Sequence, residues 1–195
     1  MKIIGLCGGS GAGKGTVCSL FAEFGIKCID TDKLYHSLIS TDSECTSELI
    51  ATFGNGISAN PGIDRKALRD IVFSSRDNLE LLNKITHKHI LASVRTFIDE
   101  SRDLPALIID APLLFESGFD KECDVTVCVI ADNEVRIKRI TERDGISTEA
   151  ARARIDSQIP NDRLIQMCDF AIENNSTVSE LRTQILKLNQ KLFNN

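Results

Sequence analysis

Gly8-Gly9-Ser10-Gly11-Ala12-Gly13-Lys14-Gly15-Thr16 is the stretch on which the reading of this 195-residue chain turns. Before it runs Lys2-Ile3-Ile4-Gly5-Leu6-Cys7, short and mostly apolar. After it Val17, Leu20, Phe21 and Phe24 recur at helical spacing. Strand, glycine loop and helix in that order form the setting of a phosphate-binding loop, and Gly8 to Lys14 satisfies its G-x-x-x-x-G-K pattern. Glycines lack a Cβ, so main-chain N–H groups can turn inward around phosphate oxygens. The helix N-terminus adds its positive dipole end, and Lys14 supplies a mobile charge for the β- and γ-phosphates. One position departs from the motif: Gly15 follows the lysine and the hydroxyl comes at Thr16, so the group that ordinarily reaches Mg²⁺ is displaced. The dinucleotide fingerprint G-x-G-x-x-G fails, because from Gly9 and Gly11 the third glycine would fall at Lys14.

Length and composition fit one α/β domain with room for insertions. The chain is 42% hydrophobic and 26% charged, ordinary values for a protein with a packed core. A net charge of −5 argues against a nucleic-acid partner, which needs a basic face. No apolar run approaches the roughly 20 residues of a membrane span, and the six-residue apolar start leads straight into the glycine loop, unlike a secretory leader. The 7 cysteines form no C-x-x-C pair and have no histidine at zinc spacing, which predicts buried free thiols in a reducing cytoplasmic setting.

Along the chain, Ile26–Ile29 predicts a second strand ending at Asp30-Thr31-Asp32. One of these carboxylates is expected to cap the helix Lys33 to Ser40, which leaves the other, with Asp32 favoured, as a reactive group where open α/β sheets bind ligands. Residues 41–100 read as helical: Thr41 to Phe53, then Arg65 to Ser74 behind an Asp64 cap, then a long amphipathic helix from Asn78 to about Glu100. His87 and His89 lie at i, i+2 and point to different faces, which disfavours a metal pair; His87 is expected at the surface, with a ligand contact as the alternative. Leu107–Asp110 is a buried-type strand ending in an acid, the expected second acidic site for Mg²⁺. Val125–Ile130 is another apolar strand, followed by a helix from Glu134 to Arg143 capped by Asp132. That helix places Arg136, Arg139 and Arg143 on one face, with Glu134 and Lys138 expected to pair on another. Thr148 to Ser157 predicts a further helix stopped by Pro160, and residues 136–160 together suggest a basic lid over a triphosphate. Phe170–Ile172 closes the strands, and Val178 to Leu192 is a last amphipathic helix. Five alternations of strand and helix call for a parallel sheet covered on both faces, with a helical insert after the second strand.

These residues resemble the dephospho-coenzyme A kinase family over residues 3–190. The likeness rests on Gly8 to Lys14, Asp30-Thr31-Asp32, Asp64-Arg65-Lys66-Ala67-Leu68-Arg69 with Phe73, His87, and Pro112-Leu113-Leu114-Phe115-Glu116. It continues through Arg139, Arg143-Asp144-Gly145, Arg154-Ile155 with Gln158, and Asp169 to Asn174. Cys7, Gly15, Lys88, Arg136 and Cys168 depart from the family pattern, where threonine, serine, proline, glutamine and alanine are usual.

The resemblance implies a three-layer P-loop nucleotide-kinase fold with a five-stranded parallel sheet, a helical substrate-binding insert and a helical lid. Residues 1–30, 101–135 and 161–195 would form the nucleotide-binding core, 31–100 the coenzyme A-binding insert and 136–160 the lid. It implies transfer of the γ-phosphoryl of ATP to the ribose 3′-hydroxyl of dephospho-coenzyme A, with Mg²⁺, in a cytoplasmic monomer or weak homo-oligomer. Lys14, Asp32 as base and Arg139 would be catalytic. Gly11, Ala12, Gly13, Lys14, Gly15, Thr16 and Arg143 would bind ATP, and Asp30, Arg65, Arg69, His87 and Glu116 the acceptor. Mg²⁺ would be held by Thr16, Asp32 and Asp110. Two alternatives stand beside it: a nucleoside monophosphate kinase, a family that shares Gly-Lys-Gly-Thr, and a catalytically inactive P-loop nucleotide sensor.

Overall fold

The computed structural model describes residues 1–193. Its elements alternate as the apolar runs require: β1 (Lys2–Cys7), α1 (Lys14–Ala22), β2 (Lys27–Asp30), α2 (Thr31–Ser40), α3 (Glu44–Phe53), α4 (Arg65–Val72) and α5 (Arg76–Glu100). The second half continues with β3 (Ala106–Asp110), β4 (Val125–Ile130), α6 (Asn133–Asp144), α7 (Thr148–Asp156), α8 (Asn161–Met167), β5 (Phe170–Glu173) and α9 (Val178–Phe193). Short 3₁₀ turns lie at Asn55–Ile57 and Phe119–Glu122.

The chain divides into two compact units. The first comprises Met1–Ile29 and the chain from Arg102 onward. Its sheet has the strand order β2-β3-β1-β4-β5. β1 sits at the centre, parallel to β3 (Ile4 beside Ile108) and to β4 (Leu6 beside Val127), and β4 runs parallel to β5 (Val129 beside Ile172). Parallel strands buried on both faces read as unbroken apolar runs, as Leu107–Ile109 and Val127–Val129 do. The pleat sorts them. Ile4, Leu6, Ile108, Val127 and Val129 face one layer with Val17 and Phe21 of α1 and Leu181, Ile185 and Leu188 of α9. The opposite layer is tight at Gly5, where a Cβ would lie 2.8 Å from Cys123 Sγ and 3.0 Å from a methyl of Leu114.

The second unit, Asp30–Ser101, is helical and has its own core of Ile39, Cys45, Leu49, Ile57, Ile63, Leu68, Val72 and Ile85. Two local expectations are corrected. The helix expected over Thr41 to Phe53 starts later: Ser43 forms a capping box with Thr46, so α3 begins at Glu44 and the chain breaks after Ser40. Pro160 does not merely stop α7; it stands at the N-cap of α8, where its fixed φ suits a helix start. His89 Nε2 lies 2.7 Å from Glu48, whose carboxyl is held below the usual carboxylate range by Lys88 and His89. All seven cysteines are free, but only Cys7, Cys45 and Cys128 are buried as expected; Cys18, Cys28, Cys123 and Cys168 are half-buried. Among the described residues no helix is long and apolar enough to cross a membrane.

Candidate active site around the phosphate loop

The loop between β1 and α1 carries its own electrostatic logic. Gly11 (φ 77°) and Gly13 (φ 97°) take the left-handed conformation that a Cβ would strain, and they alternate the direction of successive peptide planes. Each carbonyl along the turn has a donor. Gly8 O accepts from Lys14 Nζ at 3.1 Å and Gly9 O from Ala12 N at 3.1 Å. Ser10 O accepts from Arg136 Nε at 2.9 Å and Gly11 O from Arg139 Nη1 at 3.2 Å. Ala12 O accepts from Asn174 Nδ2 at 2.8 Å. With the acceptors tied outward, the N–H groups of Gly11, Gly13, Lys14 and Gly15 have no acceptor among the described residues. Four main-chain donors without acceptors, at the N-terminus of a helix, make an anion site.

Lys14 lies 3.8 Å from Asp110, the last residue of β3, a carboxylate only 8% exposed. This brings together two of the expected groups from distant parts of the chain. Asp110 is the carboxylate nearest the loop's ammonium and suits Mg²⁺, which takes one or two protein carboxylates and fills its shell with phosphate oxygens and water. Gly15 offers no hydroxyl and has open space where a side chain would stand, while Thr16 is exposed on the first turn of α1. No group of three or more His, Cys, Asp or Glu side chains able to hold a metal occurs among the described residues.

The three arginines of α6 do not act alike. Arg136 is buried at 2% exposure, its guanidinium on Ser10 O and on Gln158 Oε1 at 2.7 Å. Burial pushes its pKa down. Arg139 lies along the loop on Gly11 O. Arg143 instead forms a two-point pair with Asp144 at 2.7 and 3.0 Å, at the far end of the helix. The expected Glu134–Lys138 pair is replaced by Glu134 with Arg152 of α7, at 3.3 Å. Asp132 stands at the N-cap of α6, but its side chain makes no capping bond; its N–H donates to Asn175 Oδ1. α6 and α7 close on each other through Ile137, Ile140, Ala151 and Ile155. Arg154 joins Arg143 on Asp144, whose carboxyl is held down at about 2 by the two guanidiniums.

In the helical unit, Asp30 is the N-cap of α2: its Oδ1 accepts from Lys33 N at 3.0 Å and its Oδ2 faces Lys33 Nζ at 3.5 Å. Asp32 occupies the first turn of that helix, exposed and with no hydrogen-bond partner among the described residues. Arg65 and Arg69 lie one turn apart on α4 behind the Asp64 cap, which accepts from Lys66 N and Ala67 N. They border a cavity of about 470 Å³ whose wall includes Tyr35, Leu68, Phe73 and Leu82. Phe73 is 78% exposed at its rim. His87 is half-buried on α5 and does not line this cavity. In the sheet unit, Glu116 is exposed just beyond the buried Leu114.

Sequence reasoning missed Gln158 and Asn174 as groups on the loop, although both belong to the resemblance. Gln158 Oε1 accepts from Ser10 N at 3.0 Å, and its Nε2 donates to Ser10 Oγ at 3.1 Å. Bonds between groups some 150 residues apart leave no local pattern to read.

A family model described as dephospho-CoA kinase matches residues 2–180. A dephospho-CoA kinase of Fusobacterium nucleatum is 44% identical over 182 residues, which cover 93% of each chain. Among solved structures, one from Thermus thermophilus superposes with a TM-score of 0.81 at 28% identity, covering 98% of this chain and 97% of that one. The dephospho-CoA kinase of Campylobacter jejuni superposes with a TM-score of 0.71 at 28% identity, covering 97% and 96%.

Proposed function

The chain belongs to the dephospho-CoA kinase family, and from that premise we infer that it phosphorylates dephospho-CoA at the expense of ATP, the last step of CoA synthesis. The γ-phosphoryl passes to the ribose 3′-hydroxyl, leaving ADP. The observation that carries this reading is the phosphate loop, with its carbonyls fastened outward and four N–H groups left for an anion.

Phosphoryl transfer asks for positioning and charge neutralisation more than covalent chemistry. Residues Gly11 to Thr16 receive the ATP phosphates on their main-chain donors. Lys14, already poised between Gly8 O and Asp110, exchanges those contacts for phosphate oxygens and follows the migrating charge. Arg139 swings from Gly11 O, a neutral acceptor, onto the equatorial oxygens, which are far better partners for a guanidinium. Arg143 supports it. Asp32 takes the proton of the attacking hydroxyl, a role favoured because capping by Asp30 leaves Asp32 without a structural task. Bound Mg²⁺ would supply neutralisation of the charge on the phosphates. Asp110 would hold it through its carboxylate, with Asp32 and Thr16 as the further ligands.

The acceptor is assigned to the insert, residues 31–100. Its cavity combines an apolar wall, an exposed aromatic ring at Phe73 and the cations Arg65 and Arg69. That mixture suits a nucleotide diphosphate joined to a long, uncharged arm. Asp30, His87 and Glu116 complete the acceptor side. The hairpin of residues 136–160 serves as the lid, and residues 1–30, 101–135 and 161–195 as the nucleotide-binding core.

Steady-state ADP release with dephospho-CoA, set against AMP, CMP and dTMP, tests the assignment. Turnover with dephospho-CoA at least 10²-fold above the monophosphates is expected. Activity confined to a monophosphate would make the chain a nucleoside monophosphate kinase, and ATP binding without turnover on any acceptor would make it a sensor.

A further inference from the structure

Arg136 is the most deeply buried cation described, yet its three bonded partners are neutral: Ser10 O, Gln158 Oε1 and, at 3.5 Å, Asn133 Oδ1. Buried guanidiniums ordinarily meet a carboxylate, because an unpaired buried charge is costly. Here none is bonded to it among the described residues. Its charge lies directly against the phosphate loop. A Cβ on Gly9 would come within 2.1 Å of Arg136 Nη2, and one on Gly11 within 2.7 Å of Arg136 O.

Gln158, just beyond α7, grips the same turn beside Arg136: a Cβ on Gly9 would lie 2.9 Å from its Oε1. It takes the Ser10 N–H, gives to Ser10 Oγ and shares its Oε1 with Arg136. Ser10 thereby has its N–H, carbonyl and hydroxyl all committed to two side chains outside the loop. Were the Ser10 carbonyl to flip inward, it would present a lone pair to the bound phosphates and repel them.

We propose that Arg136 and Gln158 are positioning residues for the nucleotide. They lock the Ser10 turn in its anion-accepting form, and the uncompensated guanidinium sets a positive charge behind the phosphates. The missing counter-charge is then the triphosphate itself, acting across a poorly hydrated gap where screening is weak. This inference rests on the reading that the loop takes ATP, and it separates the role of Arg136 from that of Arg139, which touches the transferred group.

Calorimetric titration with MgATP, together with steady-state kinetics on R136Q, R136K and Q158A, tests it. R136Q is expected to raise the Kd and KM for ATP about tenfold, with KM for dephospho-CoA within about twofold of wild type. R136K should recover part of the loss, because the charge returns without the fork. Q158A, which keeps the charge, should weaken ATP by about threefold to fivefold. Wild-type ATP affinity in a folded R136Q would overturn the proposal. So would equal losses in ATP and acceptor KM that track a lowered melting temperature, the signature of a merely structural residue. Should R136Q fail to fold, Q158A decides: an unchanged KM for ATP overturns the proposal. If wild type itself failed to bind MgATP in the same titration, the assignment of the loop would fall instead.

Discussion

Asp30 and Asp32 stand two residues apart, and their surroundings give opposite expectations for the same deletion. Asp30 accepts the Lys33 N–H at 3.0 Å as the N-cap of α2. Replacing such a cap by alanine costs about 1 kcal/mol, which in a chain of this length lowers the melting temperature by roughly 2–4 °C. Asp32 makes no bond that holds the fold, so Asp32→Asn should leave stability within about 0.5 kcal/mol of wild type. The kinetic expectations reverse. Loss of a general base typically lowers turnover by about 10²–10⁴-fold, while ATP affinity, set chiefly by the phosphate loop, should fall far less. Parallel thermal melts and ADP release at saturating ATP and dephospho-CoA measure both quantities on both variants. A D32N enzyme with wild-type kcat, or a D30A enzyme that loses turnover while D32N keeps it, would refute the assignment of the base.

Arg139→Met removes the guanidinium that now rests on Gly11 O, and should lower kcat by about 10³-fold with ATP affinity little changed; single-turnover kinetics distinguishes this from a binding defect. Gly11→Ala forces a Cβ onto a residue at φ 77° and against Arg136 O, at a cost of about 1–3 kcal/mol seen as a lower melting temperature, together with a raised KM for ATP. Gly15→Ser is the converse, since nothing lies within 4 Å of the point where a Cβ would stand: the fold should be unaffected, and the new hydroxyl should lower the Mg²⁺ concentration needed for half-maximal rate. Asp144 carries a depressed folded-state pKa of about 2, set by Arg143 and Arg154. A depressed carboxylate stabilises above its unfolded pKa near 3.9 and ceases to do so as pH falls through its folded value. Asp144→Asn should therefore melt below wild type at pH 7, and melts from pH 5 to pH 2 should show the two curves converging between about pH 4 and pH 2.

What the sequence made legible follows from how local each signal is. β1, β3 and β4 announce themselves as apolar runs because a central parallel strand is buried on both faces. The phosphate loop is legible because its glycines, lysine and helix are contiguous. The cap role of Asp30 is readable as one of two options, and only its bond to Lys33 N selects it. α8 escaped because seven residues with Leu164 as their one buried side chain give no period to detect, and Pro160 fits a helix start as well as a stop. Arg136, Arg139 and Arg143 share a helix face, yet they divide between the loop's underside, its edge and the end of the hairpin. That division depends on Ser10, Gln158 and Asp144, groups set by tertiary packing. Glu48 with His89 and Gln158 with Ser10 are likewise meetings that no spacing along the chain encodes.

The central claim is that the Gly8–Thr16 loop is a ready-made receptor for the triphosphate. A crystal structure with Mg²⁺ and a non-hydrolysable ATP analogue tests it most directly. β-phosphate oxygens within hydrogen-bond distance of the Gly11, Gly13, Lys14 and Gly15 N–H groups, with Lys14 Nζ moved from Gly8 O toward the γ-phosphate, are expected. A nucleotide seated elsewhere while those four groups still face solvent would contradict it.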